Sequence, residues 1–314
     1  MNHKPGELRR ISVLSAPSNL GLKPPAPGRE PGVRELPAAL FRQGLLAQLR
    51  AVDAGVVAPP PYDPNLDPQT GLRNAASIRR YSLELAERVG DLLDQSRFPL
   101  VLGGDCSILL GSALALKRRG RFGLLFIDGH TDLLTAATSQ SGGVAGMDLA
   151  FVTGMGTDEL TSIDGLKPYV QPEDVVVFGF RLPEPGEASP AQPKPPMLSF
   201  PLGMTRERGV SAVAKQAVAH FGENKFWIHV DADVLNPRWM PAVDSPDPGG
   251  MSPQELAAVL RIALSARNCA GMELTIYDPT LDHTGHGASL FVHLLRDAIA
   301  EDPRSMNASR LTTE

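Results

Sequence analysis

Two acidic clusters in this chain stand directly after apolar runs. Residues 122–127 lead into Asp128-Gly129-His130-Thr131-Asp132, and residues 226–230 lead into Asp231-Ala232-Asp233. Both runs have strand character, and alternate side chains of a strand point the same way. Asp128, His130 and Asp132 are therefore expected to share one face, as are Asp231 and Asp233. Together they bring four carboxylates and an imidazole to the carboxyl ends of two strands. Such a concentration of negative charge is costly unless a cation neutralises it. Hard oxygen donors with one nitrogen suit divalent metal ions. Two such ions side by side form a hydrolytic centre, so the pattern points to a metallohydrolase.

Strand character recurs at 11–16, 99–102, 122–127, 175–178, 226–230 and 271–277. Helical patterns occupy 75–95, 107–119, 209–221, 253–266 and 290–299. Ser252, Pro253 and Glu255 supply an N-cap, a first-turn proline and an early acid for one of them. This alternation predicts an α/β fold, with a mainly parallel sheet covered on both faces. With 314 residues, 42% of them hydrophobic, one domain over 1–314 is expected, with a disordered tail after residue 303. Proline-rich stretches at 24–32, 59–69 and 183–196 read as loops, and long loops in compact domains are often functional.

The net charge is -5, and no basic stripe suggests a nucleic-acid partner. The first ten residues are polar, and no apolar segment is long enough for a signal or a membrane span. Cys106 and Cys269 make no disulfide framework, which fits a reducing compartment. The expectation is a cytoplasmic protein acting on a small molecule.

A third cluster, Gly103-Gly104-Asp105-Cys106-Ser107, follows the strand at 99–102, and the second cluster runs on as Val234-Leu235-Asn236-Pro237. In parallel sheets, ligands bind beyond the carboxyl ends of the strands. One acidic pair at a strand end is more often a turn former, but three in this order indicate a site. The three together resemble the motifs of the ureohydrolase (arginase/agmatinase) family. Those motifs are Gly-Gly-Asp-His-Ser, Asp-Ala-His-x-Asp, and Ser-x-Asp-x-Asp ending in Asp-Pro. The region from Ser15 to Leu45 is nearer to arginases than to agmatinases. The resemblance implies a three-layer α/β/α fold, a binuclear manganese site, and trimers or hexamers. It implies that Asp128 and Asp231 bridge the metals. His130 and Asp233 would complete one site, and Asp132 and Cys106 the other. The reaction so implied is attack of a metal-bridging hydroxide on a trigonal carbon, with Asp132 passing a proton to the leaving nitrogen.

The chain also departs from the family. Cys106 stands where most members carry a histidine ligand; a thiolate favours zinc, iron or nickel over manganese. The alternative is a small buried cysteine at the turn. Ser141 matches a serine that contacts the substrate carboxylate. Leu134 and Gly143 replace two asparagines, and Ala145 replaces a proton-shuttling histidine. Ile276 takes the place of the glutamate that holds the guanidinium; Glu273, a candidate substrate contact, falls on the opposite face of the same strand. A guanidinium there would lose a partner worth about 1.5–3 kcal/mol. Glu184 and Glu187 match acids that face a substrate amino group. His283 and His286 offer a replacement proton shuttle, or are plain loop residues. His229 shares parity with Asp231 and either supports the ligands from behind or is a packed strand histidine. Asp244 and Asp247 lie in an expected rim loop.

The leading expectation is hydrolysis of a guanidino or N-hydroxyguanidino compound, releasing urea or hydroxyurea. An amide, amidine or formimino hydrolase on the same scaffold is the alternative. A non-catalytic subunit or metabolite sensor is a reading from another class.

Overall fold

The computed structural model describes residues 9–182 and 197–300. Eight strands among these residues form one sheet: β1 (Ile11–Ala16), β2 (Val52–Val56), β3 (Phe98–Gly103), β4 (Gly123–Ile127), β5 (Val175–Phe178), β6 (Leu198–Phe200), β7 (Phe226–Asp231) and β8 (Cys269–Thr275). Their spatial order is β2-β1-β3-β8-β7-β4-β5-β6, and every pair is parallel.

Among the described residues, ten α-helices connect them: α1 (Leu36–Arg42), α2 (Leu45–Leu49), α3 (Ala75–Asp94), α4 (Leu109–Lys117), α5 (Asp148–Val152), α6 (Asp158–Thr161), α7 (Leu202–Arg208), α8 (Val210–Ala219), α9 (Pro253–Ser265) and α10 (His286–Ala300). Side chains alternate between two cores. In β4, Leu125 and Ile127 join the core under α1, α2 and α7 to α10, whereas Leu124 and Phe126 join the core under α3 to α6. The sheet is thus the middle of three layers, as the strand–helix alternation predicts. β3, β4 and β7 are buried at every position because both faces are covered.

Some elements are absent from the sequence reading for physical reasons. β2 is an edge strand, and its residues are largely exposed, so its sequence Val-Asp-Ala-Gly-Val carries no apolar run. β6 has three residues and lies at the other edge. Helices α5 and α6 have five and four residues, too short to show a period. The strand expected at 271–277 ends at Thr275, because Ile276 turns to φ 72. The tail expected after residue 303 and the proline-rich segment 183–196 lie outside the described residues.

The N-cap expected for α9 is present and closes a full capping box: the Ser252 side chain accepts from Glu255 N, and the Glu255 side chain accepts from Ser252 N. Ser252→Ala should lower unfolding stability by about 1 kcal/mol while leaving metal uptake intact. Urea unfolding midpoints of the two metal-free proteins check this.

Candidate metal centre

The register of the four central strands sets the site. Phe126 of β4 pairs with His229 of β7, which pairs with Glu273 of β8, which pairs with Val101 of β3. One pleat closer to the carboxyl end, Asp231 pairs with Thr275, and Asp128 directly follows the last residue of β4. Acidic side chains therefore form a row at the strand ends. The chain order reverses across these strands, the usual location of a ligand crevice in open parallel sheets.

Cys106 enters from the turn after β3. Asp105 builds that turn: its carboxylate accepts from Ser107 N at 2.8 Å and from Ser18 Oγ at 2.7 Å. Gly104 is required there, because a Cβ would sit 1.6 Å from the Ser18 carbonyl oxygen. The turn places Cys106 Sγ 2.9 Å from Asp231 Oδ2 and 3.0 Å from Thr275 Oγ1.

Asp128, His130, Asp132, Asp231, Asp233 and Cys106 come together as the motifs predict. Ligand atoms of Cys106, Asp128 and Asp231 lie within 4.8 Å of one another, as do those of Asp128, His130 and Asp132. His130 Nδ1 is 2.9 Å from Asp233 Oδ2 and 3.8 Å from Asp128 Oδ1. Asp233 also accepts from Gly129 N at 3.1 Å. Gly129 has a second use, since a Cβ there would meet Arg181 Nη1 at 1.7 Å. Arg181 fills that space and donates to the Asp233 carbonyl at 2.9 Å. From the rim loop, Asp247 Oδ2 reaches His130 Nε2 at 3.0 Å.

Charge in this cluster is unbalanced. Burial, then Asp132, Asp231 and Asp233, push the Asp128 carboxyl well above the usual carboxylate range. Burial and then Asp233 do the same to Asp231. Burial drives Asp132 to about 7; His130 draws it down, and Asp233 and Asp244 push it back up. Burial would lower His130, but Asp233 outweighs it and the imidazole rises to about 11. Burial would likewise raise Asp233, but His130 and then Arg181 hold it below its ordinary value. Buried Asp128 Oδ2 has no hydrogen-bond partner among the described residues. Clustered oxygens with one imidazole and one thiol, one oxygen bare, fit divalent metal ions. Burial first, then Asp231, also raises the Cys106 thiol, so a thiolate there needs a cation beside it.

A family model described as Arginase family matches residues 9–300. The chain belongs to the arginase family. The arginase of Bacillus caldovelox is 30% identical over 304 residues, covering 94% of this chain and 99% of that protein. The crystal structure of the Bacillus caldovelox arginase superposes with a TM-score of 0.82 at 28% identity, covering 93% of this chain and 98% of that one. The formimidoylglutamase of Bacillus subtilis shares the fold, with a TM-score of 0.72 at 19% identity over 95% of this chain and 88% of its own. As a member of the arginase family, this chain is a metal-dependent hydrolase of C–N bonds, and the family generally uses a binuclear manganese centre.

The remaining expected residues fall in different places. Glu273, expected at the substrate, is wholly buried: Ser112 Oγ donates to it at 2.6 Å and His229 Nδ1 lies 2.7 Å away. It is not open to a substrate, because its strand parity turns it under α4, not outward. Ile276 is buried at positive φ, its N–H bonded to the Gly104 carbonyl at 2.7 Å. Ser141 Oγ accepts from Gly143 N at 3.1 Å within its own loop. His283 and His286 are exposed and make no contact with the carboxylate cluster among the described residues. Glu184 and Glu187 lie outside the described residues. Sequence reasoning missed Asp148, Arg181 and Ser112. Asp148 lies on no recognised motif; Ser112 and Arg181 become visible only through Glu273 and Gly129.

No helix among the described residues is long and apolar enough to cross a membrane.

Raised carboxyls bind protons that the unfolded chain releases, so they stabilise the metal-free protein below their ordinary value and lose that contribution as pH rises. Metal-free protein should therefore lose stability as pH climbs from 3.8 through about 7, the window for Asp132. His130 extends the decline from 6.5 toward about 11. Divalent metal should reverse the slope and release protons on binding. Thermal midpoints across pH, with and without metal, check both signs; a metal-free midpoint that rises from pH 5 to 7 would refute the assignment.

Proposed function

We propose that this chain hydrolyses a C–N bond of a small guanidino or N-hydroxyguanidino compound, releasing urea or hydroxyurea at a two-metal centre. The observation that carries the reading is the row of buried Asp128, Asp231 and Asp233 and half-buried Asp132 beside His130 and Cys106 at the strand ends. Asp128 and Asp231 would be shared between the two ions. His130 and Asp233 would hold one, and Asp132 and Cys106 the other. Manganese suits the oxygen-rich position; zinc, nickel or iron suits the one with the thiolate. Bound there, two divalent ions would activate water and neutralise charge that develops on the substrate.

The chain's own residues have separate roles. Asp132 passes a proton to the leaving nitrogen. Arg181 and the Gly129 N–H hold Asp233 in its ionised form. Asp247 holds the outer edge of the His130 ring. Ser141, Glu184 and Glu187 are the proposed contacts to substrate groups away from the reacting carbon. Likeness to the family supports a homo-oligomer, trimer or hexamer, with a cytoplasmic location.

A second reading rests on Ile276. An apolar side chain stands where a guanidinium would need an acid, so a formimino, amide or amidine group is the competing substrate class.

The test loads the protein separately with Mn, Ni, Zn and Fe, and offers arginine, N-hydroxyarginine, agmatine and shorter guanidino acids. Urea or hydroxyurea should appear from one of these. Asp132→Ala should lower kcat by at least about 100-fold at unchanged fold. No such product from any, with two metals bound per chain, would refute the guanidino reading. Ammonia or formamide from a formimino compound would then establish the second.

A further inference from the structure

Cys106 Sγ is the corner of two clusters. One is the carboxylate row. The other lies one pleat deeper and joins Cys106 to Asp148 and His229, whose ligand atoms all sit within 4.8 Å of one another. Asp148 and His229 are wholly buried, and Cys106 nearly so. The three arrive from the turn after β3, the first residue of α5, and the middle of β7.

The imidazole of His229 is fixed from two sides. Its ring stacks on Phe126, with centroids 4.7 Å apart and planes 7° from parallel. Its Nδ1 lies 2.7 Å from Glu273 Oε1, and Glu273 is itself held by Ser112. A carboxylate on Nδ1 sets the tautomer that leaves the Nε2 lone pair bare, the arrangement found behind metal-binding histidines. Nε2 points toward Asp148 Oδ2, 3.9 Å away. Neither atom has a hydrogen-bond partner among the described residues. At 3.9 Å a proton on either atom makes no hydrogen bond to the other. Two buried acceptors facing each other without a donor are costly. One tetrahedral ion at bond lengths of about 2.0–2.1 Å satisfies both once the two atoms draw about 0.5 Å closer.

We infer that Cys106 Sγ, His229 Nε2 and Asp148 Oδ2 form an inner site for a borderline-soft divalent ion of the zinc class, beneath the carboxylate centre, and that the thiolate serves this ion instead of the one assigned to it beside Asp132. Asp231 Oδ2, 2.9 Å from Sγ, belongs to the carboxylate row and not to this group, which leaves a fourth position open. One thiolate, one imidazole and carboxylate oxygen are zinc's donor set, and suit manganese poorly. His229 also stands at the position where the family's third motif has serine, and Cys106 where the first has histidine. Read together, those two exchanges move an imidazole from β3 to β7. Glu273 then has a definite role: it positions His229 and does not meet the substrate.

The experiment uses cobalt(II) and zinc as probes on the full chain. Cobalt-loaded protein should show thiolate-to-cobalt charge transfer in the near ultraviolet. His229→Gln and Asp148→Asn should abolish that band at one equivalent of cobalt, and Glu273→Gln should weaken binding about 10–100-fold. His130→Ala should leave the band in place, because it belongs to the carboxylate centre. The zinc X-ray absorption spectrum of His130→Ala protein at one equivalent should then show one sulfur at about 2.3 Å and one imidazole. That spectrum decides the matter even if the His229 and Asp148 variants do not fold. A zinc shell of oxygens alone, or of sulfur without imidazole, overturns the inference. So does a cobalt band that survives His229→Gln and disappears in Asp128→Asn. The inference does not depend on the proposed reaction: absence of urea in protein that shows the band leaves it standing.

Discussion

Mutual repulsion among buried carboxylates is the constraint on which this structure turns. Asp128, Asp132, Asp231 and Asp233 would all be cheaper in water, and burial raises the cost of each charge the others impose. Only Asp233 is held in its ionised form, and that takes His130 on one side and Arg181 on the other. The rest of the cluster is at ease only with added positive charge. A fold retains such an arrangement when cations are part of its working state, which is why the geometry and the hydrolytic chemistry are one observation.

The sheet makes this arrangement possible. Parallel strands end together at one edge, so residues distant in sequence align in rows without any long loop to guide them. One row carries Asp128, Asp231 and Thr275; the row beneath carries Phe126, His229 and Glu273. Both faces of the sheet are covered, so the lower row is dry, and its polar groups must satisfy one another. They do so only in part. Ser112, Glu273 and His229 Nδ1 close a chain of bonds, while His229 Nε2 and Asp148 Oδ2 are left over. Close approaches support both rows: Gly104 lets the Cys106 turn meet Ser18, and Gly129 lets Arg181 reach Asp233.

Much was legible in the sequence because it depends on local pattern. The runs before Asp128 and Asp231 are apolar at consecutive positions, as strands buried on both faces must be, and both are strands. Ser252, Pro253 and Glu255 announced the start of α9 through backbone groups within one turn. The motif residues from Cys106 to Asp233 sit at strand ends, where their order along the chain already placed them. Edge strand β2 was not legible, because half-exposed positions need no apolar run. The end of β8 was misjudged by two residues, because Ile276 adopts a positive φ that a β-branched side chain does not announce.

Sequence alone determined the chemistry available at the strand ends: which residues carry oxygen, nitrogen and sulfur, and that a parallel sheet would bring them to one edge. That information is local, carried by spacing and by alternation along single strands. Tertiary structure alone decided which donors face one another across strands. It turned Glu273 inward onto His229, brought Asp148 of a five-residue helix against both His229 and Cys106, and set Arg181 behind Asp233. Those pairings depend on register between strands far apart in the chain and on where a short helix docks, and neither leaves a period or a spacing for sequence to show.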